Sequence, residues 1–326
     1  MALSVSVSVE RWPVAGSFVI SRGTKTHVDI VKCEIEDGGY IGAAEATPIY
    51  YEGESAEQCA EEITQFVAKH PAPDRSVLLH HMRRGAARNA LDCALWDLER
   101  RKKDKPLWQI AELPNPKPLA TAFTISLGQP EIMEAQAHQA ALDGHGLLKL
   151  KLSGERDHER VVAVHRGAPN ARLIVDANES WNDLDIAAEA ERLRKYGVEL
   201  IEQPVSAGHD HLLSGVNSPV PLCADESCHT SADVERLAPF YDAVNIKLDK
   251  AGGLTEAMAI AHAAQAMNMK IMVGCMLSTS LGIRPAFALA QLAQWIDLDG
   301  PLLLAKDRDE RFEFEAGHIL PPDNGD

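Results

Sequence analysis

The sequence predicts an α/β fold, a compact (β/α) barrel preceded by a smaller α+β part. From about residue 119, eight strand-like stretches alternate with helical ones over about 180 residues. The preceding residues have a different rhythm, antiparallel alternation and then helices, and the proline-rich PNPKP at 114–118 separates the two parts. Ionisable residues also stand at the C-terminal end of nearly every barrel strand, where such barrels keep their chemistry.

The elements follow in chain order. Residues 4–10 and 26–36 alternate as strands, and Asp37-Gly38-Gly39 supplies a hairpin turn before a third strand at 40–46. Helices are expected at about 55–69 and 86–103. In the second, Leu91, Ala94, Leu95 and Leu98 recur at helical spacing, and Arg100 to Lys103 are basic at its C-terminal end. Barrel strands are expected near 119–126, 147–152, 171–176, 198–202, 221–225, 243–248, 270–275 and 295–299, with helices between, for example at 183–196 and 253–268. The last stretch, 301–326, has no helix to pair with and is expected to pack back on the N-terminal part.

Composition narrows the function classes. A balance of 32 basic against 48 acidic residues gives −16, which argues against nucleic acid or an anionic membrane surface as partner. No apolar run approaches the roughly 20 residues of a membrane span, and MALSVSVSVERWPV does not read as a signal peptide. Cys33, Cys59, Cys93, Cys223, Cys228 and Cys275 are scattered without a CxxC pair, as expected for reduced, mostly buried thiols of a cytoplasmic protein.

LLKLKLS at 147–153 puts Leu148, Leu150 and Leu152 on one strand face and Lys149 and Lys151 on the other. Two ammonium groups side by side inside a barrel need a reason. The next three strands end in Asp176, Glu202 and Asp225, whose spacings match one β/α unit each. Three hard oxygen donors with open positions suit Mg²⁺. Strand six ends in Lys247, and alternation turns Asn245 and Lys247 inward and Val244 and Ile246 outward; Lys250 is the nearby decoy. Lysines near a divalent cation and a second ammonium are expected to have depressed pKa values, suiting one as a general base. Lys151 is the expected base on strand two, with Lys149 its electrostatic neighbour.

Taken together, Lys149-Leu-Lys151, DANES at 176–180, Glu202-Gln-Pro, Asp225-Glu-Ser, NIKLDKAGGLTEA at 245–257, NALDCALWDL at 89–98 and DLDGP at 297–301 resemble the enolase superfamily. Within it they are similar to the muconate-lactonising subgroup and its dipeptide epimerases. The resemblance implies a modified (β/α)7β TIM-type barrel at 116–300 under an α+β capping domain at 1–115, completed by the segment 301–326. It implies one Mg²⁺ per subunit on Asp176, Glu202 and Asp225, with Lys151 and Lys247 as opposed bases, in line with the lysine-and-magnesium scheme of enolase-superfamily sites. Cys275 stands where other groups carry a histidine. Asp297 and Asp299 are expected to bind the ammonium of a small dipeptide substrate, a plain turn being the alternative.

Side-chain specificity is expected in cap loops at about 16–26 and 48–54. There Arg22, or its rival Lys25, would meet a glutamate carboxylate, which favours L-Ala-D/L-Glu, a dipeptide of murein metabolism. Thr124, Ser126 and Met276 are further candidate pocket residues. Alternatives are a lyase or racemase of the same superfamily (o-succinylbenzoate synthase, muconate cycloisomerase, N-acylamino acid racemase), a class I aldolase or a non-catalytic metal-dependent binder. A homo-oligomer is compatible with all of them.

Overall fold

A computed structural model of the chain describes residues 3–20 and 22–322; Ser21 and 323–326, parts of the expected cap loop and C-terminal segment, lie outside the described residues. Ser4–Ile20, Gly23–Asp37 and Tyr40–Ala46 form a three-stranded antiparallel sheet in chain order. The first strand runs well past the expected residue 10. Alternation is lost there because the register shifts between Pro13 and Phe18, and a bulge of this kind breaks the period that marks a strand in sequence. The helices Ala56–Lys69 and Ala86–Lys103 lie close to their expected positions, the first opened by a capping box between Ser55 and Gln58. The short helix Arg75–His81 was not anticipated; its N-cap is Asp74, and seven residues carry too little periodicity to reveal it.

The eight parallel strands run in chain order around the barrel. Seven lie within two residues of expectation, from Leu147–Lys151 to Trp295–Asp297. The first is split. Leu119–Ala120 pairs antiparallel with His318–Ile319 of the C-terminal hairpin, and only Phe123–Ile125 joins the barrel. The ends of the sheet meet where the Ala122 N–H donates to the Ile296 carbonyl at 2.8 Å and Leu298 N–H donates to Thr121 Oγ1 at 2.8 Å.

The barrel interior follows one rule. Ala122, just before the first barrel strand, and Leu147, Ile174, Leu200, Cys223, Ala243, Met272 and Trp295, one from each of the other seven, pack into a closed apolar cluster. Alternate strand residues share a face, so the next inward positions are Thr124, Lys149, Asp176, Glu202, Asp225, Asn245, Gly274 and Asp297. Seven polar side chains and one glycine therefore sit on an apolar plug. Leu148, Leu150 and Leu152 turn outward into the main core beneath the helices.

The cap is held to this end of the barrel by polar contacts from Ala86–Lys103, which is buried on nearly every side. Arg88 donates to the carbonyls of Ala251 at 2.6 Å and Gly252 at 3.0 Å, Asn89 donates to Asp249 at 2.8 Å, and Thr255 donates through both N–H and hydroxyl to Asp92. The C-terminal stretch divides its contacts. Ala305 N–H donates to Pro13 O at 2.8 Å and Arg308 pairs with Glu45 and Glu10 in the cap, whereas the terminal hairpin lies against the first barrel strand's entry. No helix among the described residues is long and apolar enough to cross a membrane.

Close approach of the cap sheet to its helix requires glycine at position 42, where a Cβ would overlap the backbone of Leu98 and Ala94. Gly42→Ala is expected to cost about 1–3 kcal/mol through overpacking. Gly146→Ala, with open space around it, should stay within about 0.5 kcal/mol of wild type. Denaturant unfolding followed by circular dichroism measures both.

Candidate active site

The polar layer opens into a cleft of about 710 Å³, its open mouth included, roofed by the cap residues Phe18, Ile20, Tyr50 and Tyr51. Asp176, Glu202 and Asp225 bring one oxygen each to within 4.8 Å of one another, all buried. The chain fixes one oxygen of each: Asn178 N–H donates to Asp176 Oδ1 at 2.9 Å, Asn245 Nδ2 to Glu202 Oε1 at 2.7 Å, and Lys247 Nζ to Asp225 Oδ2 at 2.6 Å. Glu202 Oε2 and Asp225 Oδ1 accept no aligned hydrogen bond, although ammonium groups stand 2.6 Å from each. Crowded, buried, oxygen-only donors with unmatched lone pairs fit a hard divalent cation such as Mg²⁺.

Four lysines surround the triad. Lys151 Nζ lies 2.6 Å from Asp176 and Lys247 Nζ 2.6 Å from Asp225, so the two lysine strands bracket the three carboxylate strands. Lys149 sits between two groups, 2.6 Å from Glu202 and 2.8 Å from Asp297. Lys250, the decoy, is turned away from the cleft. It donates to the carbonyls of Asp225, Cys228 and Asn245 and pairs with Asp225 Oδ1, bracing the loop that carries that carboxylate.

Burial pulls Lys149 and Lys247 down, but the surrounding carboxylates outweigh it and hold both well above the usual lysine value. The expected depression is that of a site with a dication bound, whose charge works against these carboxylates. Burial and Asp176 push Glu202 up, while Lys151 and Lys149 overcome burial to bring Asp176 down to about 2.

The structure also places the remaining candidates. Asp297 ends its strand and Asp299 follows in the turn; both line the cleft, and Thr124 N–H donates to Asp299 Oδ2 at 2.7 Å. Burial and Asp297 raise Asp299 to about 7. Lys149 donates to Asp297 Oδ2, whereas Asp297 Oδ1 accepts no hydrogen bond. Thr124 and Met276 line the cleft. Ser126 lies outside the lining and instead accepts from Val19 N–H at 3.4 Å, anchoring the cap hairpin. Arg22 lines the cleft with its guanidinium committed to two carboxylates of the barrel loops, Glu226 at 2.7 Å and Glu179. Five cysteines are buried and Cys275 is partly so, all of them free.

Sequence reasoning passed over Asn245, Gln203 and Gly274 as functional positions. Gln203 is fully buried; its Oε1 accepts from the N–H groups of Asp225 and Ser227 and so sets the turn after strand five. A Cβ at Gly274 would lie 2.8 Å from Asn245 Oδ1 and 3.2 Å from Lys247 Cε, so glycine there leaves the space that Lys247 crosses. The inward period pointed to Asn245; nothing local marked the other two.

Comparison with known proteins agrees with this geometry. The family described as mandelate racemase / muconate lactonizing enzyme, N-terminal domain, matches residues 2–111, and the enolase C-terminal domain-like family matches 132–325. The chain is 41% identical to the L-Ala-D/L-Glu epimerase of Escherichia coli over 97% of its own length and 99% of the relative's. It is 40% identical to an N-acetyl-D-glutamate racemase of Pseudoalteromonas over 88% of its length and 91% of the relative's. Among solved structures, an enolase family member from Agrobacterium tumefaciens with homology to dipeptide epimerases, bound to sodium and L-Ala-L-Glu, superposes with a TM-score of 0.94 at 45% identity, covering 99% of this chain and 98% of that one. The chain belongs to the enolase superfamily, among its epimerase and racemase isomerases.

Proposed function

We propose that this protein epimerises dipeptides at the α-carbon of the C-terminal residue by a two-base 1,1-proton transfer, with L-Ala-D/L-Glu as the substrate class. The observation that carries the reading is the bracketing of the acidic triad by Lys151 and Lys247, each paired to a different carboxylate. Magnesium held by Asp176, Glu202 and Asp225, when bound, supplies Lewis-acid stabilisation of the substrate's carboxylate. Lys151 and Lys247 then act from opposite sides of the α-carbon, one taking its proton and the other returning a proton to the opposite face. Lys149 neutralises charge developing between the triad and Asp297. Asp299, with Asp297 beside it, orients the substrate's amino end. Six unpaired cysteines fit a cytoplasmic place, and Ala-Glu a role in recycling murein peptides.

Two-base transfer separates cleanly on mutation. In Lys247→Ala, epimerisation should fall by about 10²–10⁴-fold while α-proton exchange with D₂O persists for one epimer. Lys151→Ala should exchange only the other epimer. Proton NMR reads both, with circular dichroism and Mg²⁺ binding as checks on folding. A well-folded Lys247→Ala that still interconverts L,L and L,D dipeptides near the wild-type rate removes Lys247 from the mechanism.

A second reading, racemisation of N-acylated glutamate, is favoured by the Lys149–Asp297 bond and by Asp299 rising to about 7, which leave less negative charge for an ammonium. Racemisation of N-acetyl-glutamate and epimerisation of Ala-Glu, measured side by side, decide between them. The dipeptide reading predicts a much higher kcat/KM for Ala-Glu, because a buried carboxylate pair without its cation is penalised. Equal values favour the racemase.

A further inference from the structure

The three carboxylates of the triad are not held in the same way. Asp176 and Glu202 are the last residues of the strands Arg172–Asp176 and Val198–Glu202, whereas Asp225 lies one residue past the end of Leu222–Ala224. Asp176 is in register with Lys151 on one side and Glu202 on the other. Asp225 has no such partner on Val198–Glu202, because the ladder there stops where Gln203 N–H donates to the Cys223 carbonyl at 2.8 Å. The Gln203 side chain takes the missing place: its Oε1 accepts from Asp225 N–H at 2.8 Å and from Ser227 N–H at 3.1 Å. The Asp225 carbonyl accepts from Lys250 and, within the turn, from Cys228 N–H at 3.1 Å.

Gln203 is itself tightly constrained. It is fully buried and sits at φ +36°, in the left-handed region that a residue with a side chain rarely occupies. Such a backbone persists only where its surroundings over-determine it, and here a buried network does so. Gln203 Nε2 donates to the Val205 carbonyl at 2.8 Å and to Ser227 Oγ at 2.9 Å, and it faces Tyr241 Oη at 3.1 Å. Both hydroxyls donate onward to Asp210 Oδ1, Ser227 at 2.5 Å and Tyr241 at 2.8 Å, while Arg236 donates to Asp210 Oδ2 at 3.0 Å. A carboxylate only accepts, so both hydroxyl protons point to Asp210 and both hydroxyl lone pairs meet the Gln203 amide nitrogen. That leaves Oε1 as the end of Gln203 that faces the N–H groups of Asp225 and Ser227. Gln203, Ser227, Tyr241 and Asp210 are all buried, where an unmade hydrogen bond costs most.

We infer that Gln203 is a positioning residue for the metal, setting Mg²⁺ affinity through the backbone of Asp225, and that Asp210 at the far end of the network locks Gln203 in the orientation that does so. The inference rests on the magnesium assignment in the reading above. Neither Gln203 nor Asp210 lines the cleft, so both act through other residues. Groups that orient a metal ligand in this way are typically worth about 10–100-fold in metal affinity. Lys247 Nζ donates to Asp225 Oδ2 at 2.6 Å, so a displaced Asp225 carries the second lysine with it.

The test is calorimetric binding of Mg²⁺ to the substrate-free protein, read beside the thermal unfolding midpoint without metal. Gln203→Met, which removes both polar ends of the side chain, should weaken Mg²⁺ binding by about 10–100-fold. Asp210→Leu should weaken it by roughly tenfold. Asp210→Asn still offers one oxygen to the two hydroxyls and should stay within about threefold of wild type. Leu193→Ala, a cavity in the buried face of Ile186–Arg194, should lower the midpoint without moving the affinity. If Gln203→Met does not fold, Ser227→Ala takes its place, with an expected loss of roughly two- to tenfold. A folded Gln203→Met, or Ser227→Ala in its place, that binds Mg²⁺ as tightly as wild type overturns the assignment, whatever its midpoint. Wild-type affinity in Asp210→Leu overturns the lock by Asp210. A wild-type protein that binds no Mg²⁺ overturns the magnesium assignment itself, and this inference with it.

Discussion

Burying ionised groups at one end of a barrel constrains the rest of this structure. Lys149, Lys151, Lys247 and Lys250 are buried with Asp176, Glu202, Asp225 and Asp297, and a buried charge is tolerable only when paired. The pairing is continuous within two groups. Asp297, Lys149, Glu202, Asp176 and Lys151 form one, and Lys247, Asp225 and Lys250 the other. Such clusters are weak contributors to stability, and the apolar plug beneath them and the helix-covered outer face supply the packing. Asp299 and Glu226 are buried at the same cleft, so the carboxylates outnumber the four lysines there and a dication is electrostatically welcome.

Division of labour follows from that arrangement. In the proposed function, the metal-holding carboxylates stand one inward step above the plug and the proton-handling Lys151 and Lys247 two steps above it. The cap hairpin roofs the cleft with Phe18 and Ile20. That hairpin is tied to the barrel by Ser126, Leu127 and the Arg22 pair with Glu226 and Glu179. Under the proposed function, substitution at the hairpin tip would change specificity without disturbing the layer below, as expected when one fold hosts several substrates.

Much of this was legible in the sequence because it depends on short periods. Alternation placed Lys149 and Lys151 on one face, and the β/α spacing placed Asp176, Glu202 and Asp225 on successive strands. What stayed hidden depends on contacts between distant residues. Glu226 and Glu179 lie far along the chain from Arg22, and no local pattern says that they occupy its guanidinium. Asp297, one of the carboxylates that hold Lys149 high, is brought to it from 148 residues away by barrel closure. The split first strand depends on a hairpin from the other end of the chain, and the role of Gly274 on two side chains from a neighbouring strand.

The proposed mechanism places two lysines on opposite faces of one α-carbon beside the acidic triad. Its most direct measurement is the isotopic content of the first product formed by the wild-type protein with Mg²⁺ and L-Ala-L-Glu in D₂O, followed by NMR and mass spectrometry at low conversion. Two opposed bases predict that the new epimer carries deuterium from the first turnovers while recovered substrate remains largely protiated, and that EDTA stops both product and exchange. A product that retains the substrate's own proton, or turnover undiminished by EDTA, would contradict the account.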